Sequence, residues 1–288
     1  MTRVDVTTSE QHYRGGPDAA AGRVTLVGCG PGDVELLTLR AARVIGAADV
    51  LVVDRLVGDD VLGLASASAI IIPVGKEPGG PSVSQDEINR ILVREALKGR
   101  HVARLKGGDG FVFGRAAEEM AAVRAAGIDV DIVPGITAAH ACAASIALPL
   151  TLRETVRQFS LVTGVTAQGN VDLDWPALAR PGQAFAIYMG VRTSAAIMER
   201  LISAGASRDL SIVIVENGTR ENEVVVATTL ADLAEAVAAH GIEGPAIIFG
   251  GLSWEAANLS MPSGVKVFHG EPSAACAPSY HDPRPETL

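Results

Sequence analysis

Short β-branched hydrophobic runs alternate with amphipathic stretches over the first half of the chain. The runs predict strands at 23–27, 50–53, 70–74, 101–105 and 130–133, and helical spacing of apolar residues predicts helices at 34–47 and 115–126. Ser84 and Glu87 form a capping-box pattern before a third helix, and Gly99 stands where that helix would end. This alternation is typical of a parallel sheet with crossover helices. We therefore predict an α/β domain over residues 22–135.

The second half of the chain has a different rhythm. Its predicted strands lie at 159–162, 185–189, 212–215, 224–227 and 246–249, and its predicted helices at 194–204 and 230–240. Several links between these strands are too short for a crossover helix, so we expect a mixed sheet in a second α/β domain, residues 136–268. The end segments 1–21 and 269–288 are rich in Gly, Pro, Ser and charge and lack periodicity, which predicts loose tails.

Composition narrows the class of protein. Hydrophobic residues make up 48% of the 288 residues and aromatic residues only 4%, which suits a well-packed α/β enzyme better than a nucleic-acid stacking surface. The 24 Lys and Arg against 33 Asp and Glu give a net charge of -9, which argues against non-specific nucleic-acid binding. The N-terminus is polar and no apolar run has membrane-spanning length, so we expect neither export nor membrane insertion.

The cysteines and histidines indicate no metal and no disulfide framework. The 3 cysteines include no C-x-x-C pair, and the 6 histidines show no metal-ligand spacing. This cysteine usage fits the reducing cytoplasm, where we expect the protein to work.

Three loops that contain glycine follow predicted strands: residues 28–33, 107–110 and 134–137. Glycine permits positive φ and a close approach by a ligand, and this edge of an open α/β sheet is where small molecules bind. The first loop does not match the dinucleotide pattern G-x-G-x-x-G or the phosphate loop. Asp109 beside two bare glycines suits an amino group, ribose hydroxyls or a cationic sulfonium better than a phosphate. Taken singly, each loop is equally compatible with an ordinary turn.

Each of the charged and polar side chains near these loops has two interpretations, one structural and one functional. Arg115 and Glu118 lie three apart on one helix face, as a surface pair worth under about 1 kcal/mol or as part of a site beside the glycine loop. Thr137 is available as a helix cap or as a donor to a ligand. Arg153 and Arg157 follow Pro149, either as surface charge or as bidentate partners for carboxylates.

Seven segments in order resemble the tetrapyrrole methylases: VGCGPGD, RLKGGDGFVFGRAAEE, VPGITAA, LPLTLRE, LVTG, YMG and ENGTRENE. Within that family the set is most similar to the uroporphyrinogen-III C-methyltransferases, and it runs from Arg23 to Gly251. The resemblance implies the two-domain α/β fold of the class III methyltransferases that use S-adenosylmethionine (SAM). It further implies SAM in the cleft between the domains, a homodimer, and a tetrapyrrole as the small-molecule substrate.

The resemblance also implies which residues form the site. The SAM-lining residues would be Pro31, Gly107, Gly108, Asp109, Thr137, Ala138, Met189, Gly218, Thr219, Pro245 and Ala246. Arg115, Arg153 and Met189 would face the tetrapyrrole, with Arg115 and Glu118 as the catalytic pair. Because an Arg pKa above ~12 makes a poor general base, we expect Arg115 to hold propionates and stabilise charge, oriented by Glu118.

The implied reaction is C-methylation of uroporphyrinogen III in two steps, through precorrin-1 to precorrin-2, for sirohaem, cobalamin or related cofactor synthesis. SAM would become S-adenosylhomocysteine (SAH), with no metal involved. Nothing before Arg23 is long enough to fold as a dehydrogenase or chelatase domain, so we expect oxidation and metal insertion to come from other proteins.

Three departures from the family pattern keep alternatives open. Gly110 stands where the family has Pro, and Leu152 and Val165 stand where it has His. The apolar pair leaves room for another acceptor, a later corrin precursor or a non-tetrapyrrole small molecule. A dinucleotide-binding oxidoreductase, weakened by the glycine spacing at Gly28, and a non-catalytic SAM sensor are the remaining alternatives.

Overall fold

The computed structural model describes residues 2–3, 22–75, 83–165 and 172–270. Within these residues the chain forms two six-stranded sheets, one from each half of the sequence.

The first sheet is parallel throughout. Its strands are β1 (Thr2–Arg3), β2 (Arg23–Gly28), β3 (Val50–Val53), β4 (Ile70–Pro73), β5 (His101–Lys106) and β6 (Asp129–Val133), in the order β1-β4-β3-β5-β2-β6. Its helices are α1 (Leu39–Ala47), α2 (Asp59–Leu62), α3 (Gln85–Ala96) and α4 (Ala116–Ala125), with a 3-10 turn at Val34–Leu36.

The second sheet is mixed, as predicted from the short links. Its strands are β7 (Gln158–Thr163), β8 (Gln183–Tyr188), β9 (Ser211–Glu216), β10 (Val224–Thr229), β11 (Ala246–Gly250) and β12 (Lys266–Val267), in the order β12-β10-β9-β11-β8-β7. Its helices are α5 (Ala138–Ser145), α6 (Trp175–Leu178), α7 (Ser194–Ser203) and α8 (Leu233–Ala239), with a 3-10 turn at Val191–Thr193. Strand β11 runs antiparallel to both β8 and β9.

Strand β3 illustrates how the strands of the first sheet are covered on both faces. All four of its residues are buried, and they alternate between two hydrophobic clusters, Val50 and Val52 in one and Leu51 and Val53 in the other. A strand covered on both faces needs a continuous hydrophobic run, and crossover helices on each face supply the cover. The carboxyl ends of the parallel strands then share one edge, where the predicted glycine loops lie.

Two helix starts differ from the sequence prediction in detail. The predicted helix at 34–47 is divided, because the Thr38 hydroxyl accepts the amide of Ala41 at 3.1 Å and begins α1 after the 3-10 turn. Ser84 accepts the amide of Glu87 at 3.2 Å as predicted. The Glu87 carboxylate, however, pairs with Arg90 at 3.0 Å, so the structure shows one of the two capping-box bonds.

The predicted domains correspond to where the sheets lie: strands β2 to β6 fall within 22–135 and β7 to β12 within 136–268. The division into separate domains at residue 135 stays a prediction. Of the predicted tails, Thr2–Arg3 pairs with Ile70 and Ile71 of β4, and residues 1, 4–21 and 271–288 lie outside the described residues.

Candidate active site

The three predicted glycine loops meet at the carboxyl edge of the first sheet. The amide of Gly30 donates to the carbonyl of Gly108 at 3.1 Å, and the amide of Gly108 returns to Gly30 at 2.6 Å. A Cβ at Gly28 would lie 2.5 Å from the nitrogen of Gly135, so the third loop packs directly on the first. Pro31 follows Gly30 and is half-buried. The sequence thus predicted three loops that the fold brings into backbone contact.

Asp109 joins the second of these loops to the third. One carboxylate oxygen accepts the amide of Phe111 at 2.8 Å, and the other accepts the amide of Gly135 at 2.9 Å. Gly107 is bare because a Cβ there would lie 2.7 Å from the Cβ of Leu56. Asp109 therefore holds the loop geometry, and its role toward a ligand stays a prediction.

Tyr188 joins the end of β8 to the start of α5, and its ring meets the first half of the chain at Phe113. Its hydroxyl shares a 2.6 Å hydrogen bond with Thr137 and accepts the amide of Ala139 at 3.0 Å. Thr137 stands at the N-cap position of α5, as one of the two interpretations has it, but its side chain makes no capping hydrogen bond. Burial raises the pKa of Tyr188, against the effect of its two hydrogen bonds. Phe113 packs on the Tyr188 ring with centroids 5.1 Å apart, and Ala138 begins α5 beside Thr137.

The remaining predicted SAM-lining residues lie at one end of the second sheet. Met189 follows β8, Gly218 and Thr219 follow β9, and Pro245 and Ala246 lead into β11. Because β11 is antiparallel to its neighbours, its start lies beside the ends of β8 and β9. The Met189 side chain is 53% exposed.

Glu216 organises two of these loops, a role that the sequence analysis did not identify. Its buried carboxylate accepts the amides of Glu243 at 2.8 Å and Gly244 at 2.6 Å. The amide of Asn217 donates to the carbonyl of Pro245 at 2.9 Å. The loops at 217–219 and 243–246 are therefore held together by the last residue of β9.

The predicted catalytic pair is formed. Arg115 precedes α4, and its Nε and Nη2 donate to Glu118 at 2.8 and 2.6 Å. This hydrogen bonding raises the pKa of Arg115 and lowers that of Glu118. Both side chains are about half exposed, so the guanidinium can still meet an anionic ligand.

A buried charge network lies beneath the second loop. Lys106 Nζ donates to both oxygens of Glu119 at 3.0 Å, and Arg104 Nε donates to Glu119 at 3.0 Å. Burial, followed by the charge of Arg104, lowers the pKa of Lys106. This network was not predicted from the sequence, although Arg104 and Lys106 lie two apart on β5 and so share one face of the sheet.

Asp54 is a further carboxylate at the edge that the sequence analysis missed. It directly follows β3, its side chain is 37% exposed, and Nη2 of Arg104 lies 3.4 Å from its Oδ2. The position is readable from sequence as an acid that ends a buried parallel strand, where open α/β sheets place functional groups.

Arg153 lies in a different structural segment from Arg115 and Glu118. It lies exposed in the turn between Leu152 and Val156, whose backbones form an isolated bridge. It makes no hydrogen bond or ion pair with any residue that the structure describes, and its contact with the substrate stays a prediction.

The described residues contain neither a candidate metal-binding cluster nor a membrane-spanning helix. No group of three or more His, Cys, Asp or Glu in residues 2–3, 22–75, 83–165 and 172–270 could hold a metal ion. No helix in the same ranges is long and apolar enough to cross a membrane.

Comparison with known proteins gives a consistent family. The model of the Tetrapyrrole (Corrin/Porphyrin) Methylases matches residues 23–234. A siroheme synthase of Citrobacter koseri is 48% identical over 230 residues, which is 80% of this chain and 50% of that protein. A siroheme synthase of Salmonella schwarzengrund is 44% identical over 246 residues, 85% of this chain and 53% of that one. The chain thus spans about half the length of the curated relatives it matches.

Solved structures agree with this assignment. The uroporphyrin-III C-methyl transferase of Thermus thermophilus, complexed with S-adenyl homocysteine, has a TM-score of 0.69 at 37% identity, covering 80% of this chain and 92% of that one. A cobalt precorrin-4 methyltransferase has a TM-score of 0.71 at 28% identity, covering 80% and 94%. The predicted fold class and the enzyme class, a SAM-dependent methyltransferase, are confirmed. The chain therefore belongs to the family of the tetrapyrrole (corrin/porphyrin) methylases.

Proposed function

We propose that the protein transfers methyl groups from SAM to carbon atoms of uroporphyrinogen III, in two steps, giving precorrin-2 through precorrin-1. The observation that carries the proposal is the position of Arg115. It stands at the end of the same loop, 107–115, whose glycines line the edge of the first sheet, and its guanidinium is half exposed. An acceptor with propionate side chains would therefore meet a cation directly beside the glycine loops.

The residues at the edge fit SAM as the methyl donor. Because Gly30, Gly107 and Gly108 have no side chain, a ligand can approach their backbone closely, and Gly108 has a positive φ of 65°. These loops would hold the donor together with Thr137 and Ala138 from the start of α5. Loops 217–219 and 243–246 of the second sheet, with Met189, would complete the donor site. SAM supplies an electrophilic methyl group on a sulfonium, and a nucleophilic ring carbon accepts it.

The chain has two tasks in this reaction. Binding must bring the ring carbon and the methyl group into a near-attack geometry and exclude water. Arg115 binds a propionate of the acceptor, and Glu118 keeps the guanidinium oriented through its two hydrogen bonds. Arg153 would bind a second propionate.

Transfer of the methyl group from the sulfonium leaves one positive charge on the macrocycle, so the macrocycle must also lose a proton, from a position other than the newly quaternary carbon. Glu119 is fully buried by its cations, Asp109 accepts two backbone amides, and Glu118 is paired with Arg115. Asp54 is partly exposed at the same edge and, among the described residues, forms an ion pair with Arg104. We assign proton acceptance to the Asp54 carboxylate, on this comparison of the carboxylates.

The test is an anaerobic incubation of the full chain with SAM and enzymatically generated uroporphyrinogen III, read by mass of the oxidised products. Gains of one and two methyl groups are expected. Arg115→Ala should abolish both, while Arg124→Ala, an exposed arginine on the same helix α4, should not. Asp54→Asn should still bind SAH in calorimetry but give no product. A wild-type chain that binds SAH and leaves uroporphyrinogen III unmethylated would refute this acceptor.

A second acceptor is favoured by one specific observation. Leu152 and Val165 are apolar where the family pattern has histidines, and Leu152 packs against the hydrophobic core of the second sheet. A later corrin precursor would then be the substrate of the same fold. Methyl transfer to such a precursor, without transfer to uroporphyrinogen III, would establish this alternative.

We also propose that the protein acts as a homodimer, as the family resemblance implies. Light scattering during size exclusion measures the mass directly.

A further inference from the structure

Arg220 makes a contact between the two halves of the chain that the proposed function does not use. It lies in the connection between β9 and β10, directly after Gly218 and Thr219. Its Nη2 donates to the carbonyl of Leu56 at 2.8 Å, and Leu56 follows β3 of the first sheet. The two residues are 164 positions apart in the sequence.

The stem of Arg220 also rests on the first glycine loop. A Cβ at Gly32 would lie 2.6 Å from both Cγ and Nε of Arg220, so the arginine occupies the space that a side chain would need. Beside it, the Thr219 hydroxyl accepts the amide of Asp33 at 3.3 Å. The 217–220 turn is therefore joined to the loop at 28–33 by two neighbouring contacts and to Leu56 by a third.

The turn that carries Arg220 is firmly held on its own side. The amide of Arg220 donates to Asn217 at 3.0 Å, and its carbonyl accepts the amide of Glu223 at 3.0 Å. The Glu223 carboxylate accepts both the amide of Thr219 and the hydroxyl of Ser145, each at 2.7 Å. Ser145 ends α5, so the turn is anchored to a helix that packs on the second sheet. The hydrogen bond of Arg220 to Leu56 therefore restrains both the 217–220 turn and the part of the second half that is packed with α5.

We propose that Arg220 is a positioning residue, a latch that holds the 217–220 turn against the 28–33 loop and Leu56 and thereby sets the affinity for the methyl donor. The proposal rests on the proposed function, since it takes these loops to be the two sides of the donor site. A guanidinium presents several N–H donors in a fixed planar fork, which suits a hydrogen bond to a backbone carbonyl. Without it, part of the donor's binding energy is spent on ordering the loops.

Donor affinity is measured by calorimetry with SAH on the full chain. Arg220→Ala should bind SAH roughly tenfold more weakly, the scale of one charge-assisted hydrogen bond. Arg220→Lys should recover part of the affinity, because an ammonium can donate to the Leu56 carbonyl without the fork. The control is Arg180→Ala, an exposed arginine before the start of β8, at the opposite end of that strand from Tyr188. It should bind SAH as the wild type does.

A positioning role also predicts how the kinetic constants divide. The KM for SAM should rise in Arg220→Ala while kcat at saturating SAM stays within about twofold, because the latch favours binding rather than the chemical step. A fall in kcat with unchanged KM would overturn the proposal.

A double-mutant cycle separates displacement of the latch from damage to the glycine loop. Gly32→Ala should push Arg220 aside and weaken SAH binding, and adding Arg220→Ala should weaken it little further. Fully additive effects would overturn the proposal.

Amide hydrogen exchange on the ligand-free protein tests the latch independently of SAM or SAH binding. Arg220→Ala should speed amide exchange in residues 54–58 and 217–223, and Arg180→Ala should not. A wild-type chain that fails to bind SAH refutes the proposed function, and the exchange result still decides for or against the latch. Unchanged exchange and unchanged SAH affinity in Arg220→Ala refute the latch alone.

Discussion

Glu119 offers a sharp test of the buried charge network. Its side chain is 0% exposed, and it accepts hydrogen bonds from Lys106, from Arg104 and from the side-chain Nε2 of Gln85. Glu119→Gln keeps the shape of the side chain but removes its charge. It also turns an NH₂ group, a donor, toward cations that themselves donate. The perturbation is therefore electrostatic and nearly isosteric.

The magnitude follows from the burial of the partners. The side chains of Arg104 and Lys106 are 2% and 4% exposed. In Glu119→Gln, the partly exposed carboxylate of Asp54 remains as an ion-pair partner of Arg104. Removing one partner of a buried pair costs about 3–5 kcal/mol. For a chain of this size that corresponds to a fall in Tm of roughly 6–20 °C.

The pH dependence gives a second signature. The pKa of Lys106 is already lowered by burial and by Arg104, and loss of the Glu119 charge should lower it further. In the variant the unfolded chain then binds more protons than the folded one between the two pKa values, so stability rises with pH in that window. The gap in unfolding free energy between variant and wild type should therefore narrow as the pH rises toward the ordinary lysine pKa.

Urea unfolding followed by circular dichroism at neutral and alkaline pH measures both effects. The matched control is Glu118→Gln, the preceding residue on α4, which is half exposed and paired with exposed Arg115. It should lose less than about 1 kcal/mol. The reasoning is refuted if Glu119→Gln is as stable as Glu118→Gln at neutral pH.

Three further predictions concern other parts of the fold. Burial opposes the charge of Glu95, but hydrogen bonds from nearby basic side chains lower its pKa. The stabilisation from Glu95 should therefore be fully present above the ordinary pKa of Glu and should be lost as the pH falls through the lowered pKa of the folded state. Acid unfolding of Glu95→Gln should lack this loss of stability. Tyr188→Phe leaves Thr137 without its hydroxyl partner, so we expect a loss of about 1–3 kcal/mol in urea unfolding and weaker SAH binding in calorimetry. Unchanged values would contradict the role of the hydroxyl in joining β8 to the start of α5. Burial raises the pKa of Cys29 and Cys142 to about 12, so in a chain with Cys276 replaced by Ser neither thiol should react with a thiol reagent at neutral pH until urea unfolds the protein.

The first sheet was predictable because its signals are local. The hydrophobic run at 50–53 coincides with β3, and each glycine loop was found by following a predicted strand to its end. Parallel strands then bring such loops together without any knowledge of contacts, which is why Gly30 and Gly108 could be expected at one site. The helix at 34–47 was misjudged because the Thr38 cap interrupts it without breaking the apolar pattern.

The contacts made by side chains were less predictable. Glu119 stands beside Glu118 in the sequence, and nothing in α4 alone shows that one carboxylate is buried and the other exposed. The spacing of Arg104 and Lys106 on β5 was the available signal, since two cations on one face of a buried strand require a buried anion. Arg220 left no such signal, because its partner is a backbone carbonyl far along the chain.

This difference bears on how donor affinity can vary in such a protein. Within the first sheet the loops are joined by backbone groups, as at Gly30 and Gly108, and most substitutions leave backbone hydrogen bonds in place. Across the two halves the described contacts include the Thr219 hydroxyl, the guanidinium of Arg220 and the packing of the Phe113 ring on Tyr188, each removable by one substitution. Variants that tune donor affinity without unfolding the first sheet should therefore be found among the cross-half side chains, and the Arg220 series measures how large that range is.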